Sequence, residues 1–240
     1  SDVCSSDLFM SGQDITIKSN DCGAFSGYLA LPEGGSGPGV VVIQEIFGVN
    51  AVMRGITDEW AAAGYVALCP DLFWRQEPDI QITDQSEAEW ARAFELFGGF
   101  DLDKGVDDLN ATIEHLRTLD GCSGKVGSVG FCLGGRLAFL TATRTKIDAA
   151  LGYYGVMLEE HTDEVLNAPL MLHIATEDGF VPKENQAKVH AALDGNDMAT
   201  LHDYEGNDHA FARQGGEHYD QAAVDLAKSR SVEFFSKHLS

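Results

Sequence analysis

At 240 residues, 44% of them hydrophobic and 22% charged, the chain has enough apolar material for one sizeable core and the composition of an ordinary globular protein. Lys and Arg number 16 against 38 Asp and Glu, and the resulting charge of −22 repels nucleic acid and anionic membrane surfaces. No apolar run reaches the length of a bilayer span, so one soluble domain without nucleic-acid or membrane partners is expected.

Residues Ser1 to Leu8 read SDVCSSDL, and most of this string resembles the translation of a sequencing adapter. Residues 1–9 are therefore expected to be a non-native leader, and residues 10–240 the single domain. A hairpin follows over Ile15 to Lys18 and Tyr28 to Leu31. After the glycine-rich turn Gly34 to Gly39, the apolar run Val40 to Ile43 reads as a buried strand. Strand-like and helix-like segments then alternate. The strands are expected at Tyr65 to Leu68, Lys125 to Val129, Ala149 to Tyr153, Leu170 to Ile174 and Thr200 to Tyr204. Helices are expected at Val52 to Ala63, Ser86 to Phe97, Lys104 to Leu119, Leu133 to Thr143, Lys183 to Leu193 and Tyr219 to His238. This alternation predicts an α/β fold with a mostly parallel central sheet flanked by helices on both faces, and ligands beyond the carboxyl ends of the strands.

The segment Val129 to Arg136, VGFCLGGR, places Cys132 between Gly130 and Gly134 at the strand-to-helix junction. That is the spacing of the nucleophile elbow of α/β hydrolases, with sulfur in place of oxygen. A thiol nucleophile needs a base and an acid that orients the base. Downstream, Asp178 follows the strand ending at Ile174 and His209 follows the strand ending at Tyr204, in the order nucleophile, acid, histidine. Glu177 is the rival acid. The other histidines lie in strands or helices, or upstream of the acid.

Five cysteines, with neither CxxC nor zinc-ligand spacing, read as reduced thiols in a cytoplasmic protein. No zinc, dinucleotide or Walker pattern is present, so no metal and no cofactor is implied.

The stretches QEIFG, CPDLFWRQ, GKVGSVGFCLGG, GYYGV, DGFVP and DHAFAR together resemble dienelactone hydrolase (carboxymethylenebutenolidase) from about Gly12 onward. The resemblance implies a Cys132, His209, Asp178 triad with Glu45 beside the thiol, and an oxyanion hole from the backbone amides of Ile46 and Leu133. It also implies Arg75 and Arg213 as ligands of a substrate carboxylate, and a site tyrosine that is Tyr153 or Tyr154. Asn207 and Asp208 depart from the small residue and glycine common before the family's histidine, and Ala210 stands where a serine is often found. The implied reaction is opening of a carboxylated dienelactone to maleylacetate by a monomeric, cofactor-independent enzyme. The alternatives are a broader esterase or lactonase, and a catalytically silent binding protein. We further expect Glu45 to pair with both Arg213 and the Cys132 thiol, holding the nucleophile neutral until a substrate carboxylate competes for the arginine.

Overall fold

The computed structural model describes residues 12–21 and 23–240; the expected leader and Cys22 lie outside this range. Strands β1 (Gln13–Lys18), β2 (Ala24–Ala30), β3 (Gly37–Ile43), β4 (Val66–Pro70), β5 (Cys122–Phe131), β6 (Ala149–Tyr153), β7 (Leu170–Ala175) and β8 (Ala199–Tyr204) form one sheet in the order β1-β2-β4-β3-β5-β6-β7-β8. The hairpin β1–β2 is antiparallel, β2 joins β4 antiparallel, and all remaining pairs are parallel. Parallel strands need both faces covered, which explains why Val40 to Ile43 and Val66 to Cys69 read as unbroken apolar runs and are fully buried.

The helices are α1 (Ala51–Ala62), α2 (Glu87–Gly98), α3 (Leu102–Thr118), α4 (Leu133–Arg144), α5 (Lys183–Leu193) and α6 (Gln221–Leu239). Helices α3 and α4 pack together on one face of the sheet. On the other, Trp60 of α1 meets Phe235 of α6 with ring centroids 5.1 Å apart. Asn50, Ser86, Asp101 and Asp220 cap α1, α2, α3 and α6 by accepting a backbone amide in the first turn. Helices α4 and α5 lack such a cap, with Cys132 and Pro182 at their N-cap positions.

The expected elements all occur, with shifts at their ends. Strand β5 begins at Cys122 rather than Lys125, because a register shift between Gly37 and Gly39 lets Cys122 pair with Gly37. Helix α6 begins two residues late, since Asp220 is its cap. A short 3₁₀ turn at Leu158–Glu160 was not expected.

Candidate active site

Strand β5 runs into Cys132, whose φ of 56° and ψ of −114° place a non-glycine residue in strained backbone. The turn is so tight that a Cβ on Gly130 would lie 1.9 Å from the Gly134 oxygen, and one on Gly134 would lie 2.4 Å from the Ile43 oxygen. Both glycines are thus required, and the second seats the start of α4 against the end of β3. Neither the Ile46 amide nor the Leu133 amide has a hydrogen-bond partner among the described residues. Ile46 shares a cavity wall with Cys132, and Leu133 is the first residue of α4, so both free N–H groups belong to residues next to the thiol in space or in sequence.

Asp178 follows β7 and His209 follows β8. The His209 Nδ1 lies 2.9 and 3.0 Å from the two Asp178 oxygens. Asp178 Oδ1 also accepts the amides of Phe180 at 2.8 Å and Val181 at 3.1 Å, which fix the carboxylate. Burial opposes the imidazolium, but electrostatic attraction to the Cys132 sulfur and the hydrogen bond to Asp178 outweigh it and push His209 up to about 10. Glu177, the rival acid, is exposed and pairs with Lys183 at 2.7 Å.

Glu45 lies just past β3 and is buried. Its two oxygens both accept from Arg213, Nε at 2.7 Å and Nη2 at 3.1 Å. Among the described residues no hydrogen bond joins Glu45 to Cys132, so the structure holds the expected arginine pair without the expected thiol contact. The third engaged nitrogen, Arg213 Nη1, donates to Asp84 at 3.0 Å, and the guanidinium lies over the Phe47 ring.

Arg75 and one of the two expected tyrosines lie away from the Cys132 cavity. Arg75 is committed to a separate cluster: Nε and Nη2 donate to Asp108 at 2.9 and 2.8 Å, Nη1 donates to Asp21 at 2.9 Å, and the group stacks on Trp74. It lies in no wall of the cavity containing Cys132; Asp108, only 1% exposed, requires a counter-charge and holds the guanidinium there. Tyr153 points away from the nucleophile, with its hydroxyl 2.7 Å from Ser231. Tyr153 is the last residue of β6, and Tyr154 follows it in a bend with a φ of 38°. Tyr154 is the tyrosine beside the site, edge-on to His209 at 5.1 Å, yet it is 2% exposed and backs the histidine rather than facing the cavity.

That cavity, about 150 Å³, has Cys132, His209 and Arg213 in its wall. Trp90, Phe94 and Phe97 of α2 and Phe180 of the β7–α5 loop line it, together with Ile46, Val156 and Met157. A second cavity, of about 470 Å³, shares Trp90, Phe180, His209 and Arg213 and adds Asp84, Gln85 and Glu217. Sequence reasoning missed this aromatic wall and Asp84. The spacing of Trp90, Phe94 and Phe97 reads as the core face of a helix, although Phe94 is 48% exposed. Nothing local distinguishes Asp84 from any acid preceding a helix cap. Among the described residues no His, Cys, Asp and Glu group could hold a metal ion, and no helix is long and apolar enough to cross a membrane.

Residues 25–239 match the model of the dienelactone hydrolase family. A putative carboxymethylenebutenolidase of Azospirillum brasilense is 49% identical, over 94% of this chain and 99% of its own. Carboxymethylenebutenolidase 1 of Cupriavidus pinatubonensis is 38% identical, over 95% and 97%. Among solved structures, a putative dienelactone hydrolase from Klebsiella pneumoniae superimposes with a TM-score of 0.83 at 25% identity, covering 94% of this chain and 98% of that one. An esterase of Pyrococcus furiosus shares the fold with a TM-score of 0.71 at 18% identity, over 95% and 93%. The architecture is the α/β-hydrolase fold.

Proposed function

Because the chain belongs to the dienelactone hydrolase family and is a hydrolase of lactone or ester bonds, we propose that it opens activated lactones and esters through Cys132, with His209 as base and acid and Asp178 as its orienting partner. The observation that carries this reading is the strained Cys132, which lines one cavity with Ile46 and with a histidine held by a buried carboxylate.

In the proposed cycle the Cys132 sulfur adds to the carbonyl carbon, and the amides of Ile46 and Leu133 hold the resulting oxyanion. Collapse breaks the carbonyl carbon to ring-oxygen bond and leaves a thioester. An enol-lactone expels an enolate, a far better leaving group than an alkoxide, which becomes a ketone on taking the proton that His209 accepted from the Cys132 thiol. Neutral His209 then takes a proton from the water that attacks the thioester, and passes it to the departing Cys132 sulfur. Asp178 keeps the imidazole in the orientation both steps need.

The carboxylated dienelactone, opened to maleylacetate, is the member of this class that the resemblance implies. The broader esterase or lactonase reading is favoured by the aromatic lining, and by Arg213 as the cavity's one Lys or Arg among the described residues. Hydrolysis of an enol-lactone and of 4-nitrophenyl acetate, with mass spectrometric capture of an acyl group on Cys132, tests the proposal. Turnover retained by Cys132→Ala would overturn it; a parent protein that acylates at no residue would indicate a silent binding protein.

A further inference from the structure

Arg213 donates three of its five N–H groups to carboxylates, two to Glu45 and one to Asp84. One positive charge therefore faces two negative ones, and the cluster as a whole is anionic. Arg213 and Asp84 are both largely buried, with side chains 9% and 14% exposed, so solvent screens this balance weakly.

Asp84 is held in place from several directions. Its backbone oxygen accepts the Trp90 indole N–H at 3.0 Å, and its Oδ1 accepts from Gln85. Ile82, two residues earlier, is tied by its oxygen to Asn50 at 2.9 Å and by its amide to Phe47 at 3.1 Å. Burial of Asp84 opposes its charge, but the hydrogen bonds from Gln85 and Arg213 overcome this and hold its pKa below the usual carboxylate range. Trp90, which anchors the Asp84 loop, is also a wall of both cavities.

We infer that Asp84 is a specificity residue that occupies the cationic face of Arg213, so that the site selects uncharged esters or lactones bearing a flat apolar group over carboxylated ones. A substrate carboxylate entering the larger cavity meets Asp84 and Glu217 alongside one arginine already doubly paired, with His209 held by Asp178 and His218 facing Asp208 as the other titratable bases of its wall. A flat apolar group entering the smaller cavity meets Trp90, Phe94, Phe97 and Phe180. Phe94 and Phe180, 48% and 52% exposed with ring centroids 6.5 Å apart, form an aromatic rim there. Arg213 thus serves to neutralise Glu45, and Asp84 removes what cationic character remains.

This inference rests on the hydrolytic reading above for its substrates but not for its test, which begins with binding. Cys132→Ala protein is titrated calorimetrically with 4-carboxymethylenebut-2-en-4-olide and with its neutral counterpart, 4-methylenebut-2-en-4-olide, at low and high salt. The neutral lactone is expected to bind at least tenfold more tightly, and salt to change the gap little because the cluster is buried. In the Asp84→Asn background the ratio of carboxylated to neutral affinity is expected to rise about tenfold, and kcat/KM ratios in the Cys132-containing proteins are expected to follow. Tighter binding of the carboxylated lactone by the Asp84-containing protein overturns the inference whether or not Asp84→Asn folds. If the affinity ratios hold while neither lactone is turned over, the selectivity stands and the hydrolytic reading fails.

Discussion

Asp208 ties the loop of the acid to the loop of the histidine, its Oδ1 accepting the Gly179 amide at 2.8 Å and the His209 amide at 2.6 Å. The residue that departs from the family pattern thus has a structural use: it bridges β7 and β8 just where Asp178 must meet His209.

Asp208→Ala is expected to lower kcat about fivefold and stability by about 1 kcal/mol, the order of one net hydrogen bond. Asp208→Asn, which keeps an acceptor oxygen, should restore most of both. Burial of Asp208 favours its neutral form, but the two amides prevail and lower its pKa. Its contribution is therefore present above the ordinary carboxylate pKa of 3.8 and lost as pH falls through the lower folded value. Thermal melts from pH 7 to pH 2 on parent and Asp208→Asn check the sign; parallel curves would refute it.

Cys132→Ala should reduce turnover at least 1000-fold, an order-of-magnitude figure for a nucleophile, while shifting the melting temperature by only a few degrees. Iodoacetamide should label Cys132 ahead of Cys69 and Cys122. Cys69 is fully buried, and that burial pushes its thiol up to about 12. Peptide mapping distinguishes the three sites.

Protonation of His209 should persist far above the usual imidazole range in the parent, to about pH 10. A raised pKa contributes stability in full below about 6.5 and loses it as pH rises through 10. Removing the Cys132 sulfur removes one of the causes, so Cys132→Ala should bring the His209 titration down by at least one pH unit, which ¹⁵N-resolved NMR would follow. An unchanged titration would mean that Asp178 alone sets it.

Arg75→Ala should destabilise the protein by about 3 kcal/mol, because it strips the guanidinium from Asp108, which is 1% exposed. The relative kcat/KM for carboxylated and neutral lactones should stay within about twofold of the parent. A selective loss on the carboxylated lactone, with stability intact, would return Arg75 to the substrate.

The order of strands and helices, the elbow at Cys132 and the succession Cys132, Asp178, His209 were legible in the residues because each depends on neighbours close in the chain. Hydrophobic period sets the element type, and two glycines at fixed spacing permit one tight turn. The corrected and missed features depend on tertiary structure. Arg213 and Asp84 lie 129 residues apart, and Arg213 and Glu45 lie 168 apart; only the crossovers of a parallel sheet bring the loops after β3, β4 and β8 to one end. Arg75 could not be separated from Arg213 by composition or spacing, since the difference is whether Asp108 or Glu45 receives the guanidinium. The choice between Tyr153 and Tyr154 rested on how the chain leaves β6: Tyr153 ends the strand with its hydroxyl on Ser231, whereas Tyr154, just past it with a φ of 38°, lies edge-on to His209, a turn that only the packed neighbours impose.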